Sequence, residues 1–287
     1  MAQKTKLIYL KEKFLHSLET EQGKSKKTVE NYTRYIDRFL SDTHVIRPDD
    51  ITLSVVEAYR VMLSTSQNGR NVLKSNTQNY HLTALRRFLV YLEREHISTL
   101  APKEIKLTPV PISIAPNMTG DEVEGLLQAP QGKDIKSLRD CAILHLLFST
   151  GVRVSELCAL NANIDMASDT LLVQGKGAKQ RSVQLSTEAK DALHAFLHAR
   201  SDTSEALFVN NGKRVSCAGE TRLSVRSVQR IVKQYATQAG IKMTVTPHTL
   251  RHARAHELLA QGADSTSVQT ILGHETATSP TIYQNHT

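Results

Sequence analysis

His248 and Arg251 place an imidazole and a permanently charged guanidinium three residues apart, so that on a helix both project from one face within a single turn. Together they would present several hydrogen-bond donors and one fixed positive charge to an anionic group. Arg153 stands in TGVRVSEL with Glu156 three residues on, where the ordinary reading is a helix-start arginine paired to a carboxylate. Lys176 lies in the run GKGAK, and a solvated turn lysine is its ordinary reading. His274 follows Gly273 and suits a helix C-terminus through the dipole, while Tyr283 suits packing on a terminal helix or strand. Taken singly, each position has such a bland account; the set asks for another.

The elements that must position these residues follow from periodicity. Leu7, Leu10, Phe14, Leu15 and Leu18 predict an amphipathic helix over 7–21, stopped by Gly23. Val29, Tyr32, Tyr35, Ile36 and Phe39 repeat the pattern over 28–40, and further helices are expected over 52–64 and 76–95. Residues 1–97 therefore read as a four-helix bundle. Over 98–117 the periodicity fails and Pro102, Pro109, Pro111 and Pro116 accumulate, which predicts an extended interdomain linker. A capping box from Thr119 to Glu122 opens the second domain, 118–287, followed by a nearly all-apolar and hence buried helix over 138–150. A short helix begins near Ser155, and β-prone runs over 170–173 and 180–185 flank the glycine-rich turn that carries Lys176. Helices are expected again over 188–199, 225–239, 250–261 and 265–272. The fold class is mainly α with a small β-sheet, an N-terminal four-helix domain preceding an α+β domain.

Composition narrows the function. A chain of 287 residues with 40% hydrophobic and 22% charged residues is long enough for two apolar cores and is neither fibrous nor disordered in type. The net charge of +8 favours a polyanionic partner, because lysines and arginines that neutralise phosphates release condensed counterions. Most of the excess falls in residues 1–97, with 16 Lys plus Arg against 11 Asp plus Glu, as a DNA-facing bundle would show. Cys141, Cys158 and Cys217 form no CxxC pair and leave an odd count, against a disulfide framework or a zinc site. No run reaches the 18 or so apolar residues of a membrane span, and no signal-peptide core is visible, so a cytoplasmic protein without a membrane partner is expected.

As a set, the segments TGVRVSEL, GKGAKQRSVQL, HTLRHARAHELLAQGAD, VQTILGHE and the terminal TIY resemble the tyrosine recombinase, or phage integrase, family, in particular its two-domain Xer-like members. His248, Arg251, His274 and Tyr283 at those offsets would arise by chance in roughly one chain in a thousand of this composition. The resemblance covers the second domain by motif and the bundle by size and pattern.

What the resemblance implies is site-specific cutting and rejoining of DNA through a 3′-phosphotyrosine, with Tyr283 as nucleophile. It makes Arg153 and Arg251 the clamp on the non-bridging oxygens, Lys176 the general acid, His248 an acid/base beside the phosphate and His274 a further phosphate donor. Bidentate guanidinium groups suit the charge that develops on a phosphoryl transition state. With no acidic cluster or Asp-x-Asp spacing near these motifs, no metal and no other cofactor is expected. Glu156 is expected to orient Arg153 from behind.

The resemblance also implies a double-stranded DNA recombination site as partner and a homo-tetramer on DNA, or assembly with a second recombinase. Because only Gln284 to Thr287 follow Tyr283, a helix docked on the neighbour is in doubt and the free chain is expected to be a monomer. Because the first helix is expected to start by about Leu7, an arm-site domain is not expected. A non-catalytic DNA-binding relative and a type IB topoisomerase-like relaxing activity stand as alternatives.

Overall fold

The computed structural model describes residues 6–65, 72–110, 117–175, 180–210 and 222–273. The chain divides into two compact units, Met1–Ser113 and Ile114–Thr287.

In the first unit, α1 (Lys6–Thr20), α2 (Lys26–Thr43), α3 (Leu53–Ser64) and α4 (Ser75–Arg94) form the bundle that the periodicity predicts. Their limits are set by local chemistry. Ser25 accepts a hydrogen bond from the Thr28 N–H and Thr52 from the Val55 N–H, satisfying donors that an uncapped helix start would leave orphaned. The buried stripes meet in one core, where Phe14 packs against Phe88 and Tyr91 with ring centroids 5.4 and 5.5 Å apart, and Phe39 meets Tyr59 edge-on at 5.1 Å. Each such aromatic buried from water contributes about 2 kcal/mol or more.

Part of the segment expected as an extended interdomain linker packs on this unit. Pro102–Glu104 makes a turn of 3-10 helix, Ile105 is fully buried in the bundle core, and the Asn79 side-chain amide both donates to the Thr108 carbonyl and accepts from the Thr108 N–H. One apolar residue and one amide on α4 suffice to dock a stretch that lacks any helical period.

The second unit is built around α6 (Ile135–Thr150), which is apolar on nearly every side because α8 (Thr187–Ala199), α10 (Pro247–Ala260), α5 (Gly120–Gln128) and α9 (Val225–Gln238) all pack against it. The predicted capping box of α5 is present, with Thr119 and Glu122 exchanging hydrogen bonds. Strands β1 (Thr170–Gln174) and β2 (Gln180–Gln184) pair antiparallel, Val173 opposite Arg181 and Leu171 opposite Val183. Short α7 (Val154–Ala159) and α11 (Ser265–Leu272) complete the unit among the described residues. Helix α10 begins at Pro247, three residues before the periodic apolar pattern does. Thr246 caps it through Thr249, and proline suits the first helical position because its missing N–H would have no partner there. His248 therefore sits in the first turn of the helix that carries Arg251.

Candidate active site

Arg251 lies buried on α10, and its guanidinium spans two chain reversals. Nη1 donates to the Gly151 carbonyl at 2.5 Å and Nη2 to the Leu272 carbonyl at 2.6 Å. Gly151 ends α6 in the left-handed region at φ 58°, and a Cβ there would collide with the Leu272 side chain. Glycine suits the position on both counts, since it adopts this conformation freely and leaves room for the Leu272 side chain.

Arg153 opens α7 two residues later. Its Nη2 donates to the Gly273 carbonyl at 2.6 Å, so the two guanidinium groups hold the last carbonyls of one helix, Leu272 for Arg251 and Gly273 for Arg153. Its Nη1 donates to Glu156 Oε1 at 2.8 Å, and its backbone N–H donates to Oε2 at 2.8 Å. Glu156 thus covers the N–H of the cap residue as the glutamate of a capping box does, while the guanidinium, which can only donate, binds the same carboxylate. Arg181 completes the arrangement by donating Nη1 to Oε1 and Nη2 to Oε2 of the same carboxylate, both at 2.8 Å. Burial alone would push the Glu156 carboxyl upwards. The hydrogen bonds from Arg181 and from the Arg153 backbone and side chain, with the Arg181 charge, outweigh that and hold it at about 2.

His248 and His252, one turn apart on α10, bring their Nε2 atoms to 2.8 Å with rings edge-on. A contact of that length between two imidazoles requires one to donate and the other to accept, so at least one is neutral. Desolvation and the nearby Arg251 charge push His248 below its ordinary value, which makes a neutral ring able to exchange a proton at neutral pH. The locus thus combines fixed positive charge at two guanidinium groups with a neutral imidazole beside them, an arrangement suited to an anion that gains charge during reaction.

Comparison with known proteins decides the lineage. Residues 116–287 match the model of the phage integrase family, and residues 10–98 match the phage integrase N-terminal SAM-like domain. The chain belongs to the phage integrase family. It is 33% identical over 288 residues to the tyrosine recombinase XerC of Pelotomaculum thermopropionicum, covering 96% of this chain and 92% of the relative. It is 32% identical to the tyrosine recombinase XerD of Oceanobacillus iheyensis, covering 98% and 95%. A solved lambda integrase (75-356) dimer bound to a COC′ core site shares the fold at TM-score 0.71 and 20% identity, covering 94% and 95%.

Of the six positions that the integrase motifs single out, Arg153, His248 and Arg251 fall on the described residues, and the structure gathers both arginines at the end of α11. Lys176, His274 and Tyr283 lie outside the described residues. Glu156 bonds to Arg153 as the sequence suggests. Two partners were not expected. Arg181 had a legible signal: two residues before Val183, it shares the inward face of β2 with it, and a charged residue on that face needs a buried partner. His252 follows Arg251 directly, and its i,i+4 relation to His248 was available from the spacing. Among the described residues no three or more His, Cys, Asp or Glu side chains gather in a metal-holding group, and no helix is long and apolar enough to cross a membrane.

Proposed function

We propose that this chain is an Xer-like site-specific recombinase that cleaves and rejoins double-stranded DNA with Tyr283 as nucleophile. The observation that carries the reading is the convergence of Arg153 and Arg251 on the last carbonyls of α11, immediately before His274. On this reading the scissile phosphate competes for the guanidinium donors. The Tyr283 oxygen forms the new bond to phosphorus, the bond from phosphorus to the 5′ oxygen breaks, and Lys176 supplies the proton that the leaving 5′ oxygen takes. His248, the acid/base beside the phosphate, takes the proton that the Tyr283 hydroxyl loses, and His274 adds a hydrogen bond to the phosphate. The phosphodiester energy is kept in the 3′-phosphotyrosine, so the reverse attack by a 5′-hydroxyl rejoins the strand without ATP. Arg153 and Arg251 supply the positive charge that a divalent cation supplies elsewhere. The chain acts in the cytoplasm, where such a DNA substrate lies, as a monomer that assembles on its site.

The test is adduct formation in EDTA on a panel of nicked duplexes carrying candidate sites. The wild-type chain should form an SDS-resistant protein–DNA adduct, whereas Tyr283→Phe should form none and bind the duplex within about twofold of wild type, since only the hydroxyl is lost. An adduct formed by the Phe variant, or a strict requirement for Mg²⁺, would sink the mechanism.

A further inference from the structure

We propose that Arg181 is a positioning residue for DNA cleavage, fixing Glu156 and through it the Arg153 guanidinium in the orientation that the scissile phosphate requires; this rests on the recombinase reading above. The Glu156 carboxylate is 4% exposed and accepts four N–H donors. Two come from Arg153, one main-chain and one side-chain, and two from the Arg181 fork. Each oxygen takes one donor from either arginine, so the carboxylate has no rotational freedom left while both residues are in place.

Arg153 needs that restraint. Its side chain is 41% exposed, and a long side chain free in solvent loses rotamer entropy when a ligand fixes it. Glu156 removes the freedom in advance, which is how a reacting site is prepared before its substrate arrives. Arg181 itself is well placed to transmit position. It lies on β2, the strand that follows Lys176 in the sequence, and its Nε is buried without a hydrogen-bond partner among the described residues. That side of the guanidinium packs against Gly273, where an added Cβ would lie 2.9 Å from Cζ and Nε. Gly273 is the residue whose carbonyl accepts from Arg153 and which precedes His274. One side chain thus touches the hairpin strand, the carboxylate behind Arg153 and the end of α11.

A merely structural ion pair would stabilise the fold and leave the chemistry per folded molecule unchanged. The charged groups that face Glu156 are Arg153 and Arg181, and losing Arg181 leaves burial opposed by one arginine, so the carboxyl rises towards the working pH range. Protonated Glu156 no longer holds Arg153.

The experiment compares wild type, Arg181→Gln, Arg181→Lys and Glu156→Gln in single-turnover cleavage of a nicked duplex, with duplex affinity measured in parallel. Arg181→Gln should cleave roughly 10- to 100-fold more slowly with affinity within about twofold, the usual loss when a partner behind a reacting group is removed. Arg181→Lys should fall between, because one ammonium cannot span both oxygens. In the pH profile, Arg181→Gln should gain an acid limb between about pH 4 and 6 that wild type lacks, and Glu156→Gln, which cannot titrate there, should show none. If Arg181→Gln does not fold, the lysine variant and its pH profile carry the test. Wild-type cleavage matched by Arg181→Gln, or a slower variant with the wild-type pH profile, would overturn the inference alone. A wild-type chain that forms no adduct would overturn the recombinase reading and this inference with it.

Discussion

The two units bury different things. In the bundle, Ser17 and His81 are the polar side chains buried among the described residues, and the rest of the core is aliphatic and aromatic. The second unit buries Arg139, Asp140, Ser149, Thr150, Glu156 and Arg251. Two of those, Glu156 and Arg251, belong to the candidate site. A further pair, Arg139 and Asp140, ties α6 to the Val209 carbonyl and to the Tyr235 hydroxyl on α9. The bundle is held chiefly by apolar packing, and its buried polar side chains are neutral and hydrogen-bonded, Ser17 to the Phe14 carbonyl and His81 to the Tyr59 hydroxyl. The second unit accepts buried charge because each charged group has a partner that offsets the cost of desolvating it.

The sharpest way to break this contrast is to remove one group from each core and then attempt repair. Phe88→Ala should destabilise the bundle by about 3–5 kcal/mol through lost burial and a cavity. Asp140→Ala should take about 3–5 kcal/mol from the second unit, since it leaves Arg139 buried without its carboxylate. The losses match, but their remedies differ. Arg139→Met combined with Asp140→Leu should recover at least half of the Asp140→Ala loss, because an apolar pair needs no partners. Urea unfolding followed by hydrogen exchange resolved to each unit reads both values, and a double variant no more stable than Asp140→Ala would refute the contrast.

Packing and charge also differ in how legible they are in sequence. Helices α1 to α4 are visible because their apolar residues recur at helical spacing, and α11 is expected over the same residues that it occupies, 265–272. The docking of Ile105 is not visible, since one buried residue after Pro102 has no period and its neighbours at 109 and 111 are prolines. At the candidate site, Arg153, His248 and Arg251 stand out because their types and offsets form motifs. Their actual partners do not, because the Gly151, Leu272 and Gly273 carbonyls that accept from the arginines are main-chain atoms, which any residue could supply. Only the folded chain shows which of them the arginines reach.

Acid should separate the units next. His81 accepts or donates a 2.9 Å hydrogen bond with the Tyr59 hydroxyl, and burial, followed by the Arg38 and Arg34 charges, pushes it down to about 4 from 6.5. The unfolded chain then binds a proton at higher pH than the folded one. The stability this provides is complete above pH 6.5 and is lost progressively as pH falls from 6.5 towards 4, on the order of 2–3 kcal/mol in all. Glu156 has the opposite charge type and a lower window, its contribution being lost as pH falls from about 4.5 to 2. His145 and His248 give the second unit the same sign as His81. The discriminating variant is therefore His81→Phe, which should lower bundle stability at pH 7 by about 1 kcal/mol for the lost Tyr59 hydrogen bond, yet flatten its decline between pH 7 and 5. Exchange of amides in α2 to α4 would show this, and an unchanged pH slope in the variant would remove His81 as the cause.

The smallest effect tests whether position, more than charge itself, separates the two kinds of ion pair. Arg94 on α4 bonds to Glu21 at 3.0 Å, a distance close to the 2.8 Å of Arg181 to Glu156, but its partners are 53% and 54% exposed against 18% and 4%. Water screens the outer pair, and ordering two long side chains offsets most of what attraction remains. Glu21→Gln should therefore change bundle stability by less than about 0.5 kcal/mol, and raising the salt should not alter that small difference measurably. Glu156→Gln, with a contact of nearly equal length, should cost several times more, because burial leaves Arg181 facing a neutral amide with nothing else to satisfy its fork. The two variants, unfolded in the same urea series, isolate burial as the variable. Equal losses from both would mean that distance alone sets the strength of these pairs, and the contrast between an apolar bundle and a charge-bearing second unit would lose its physical basis.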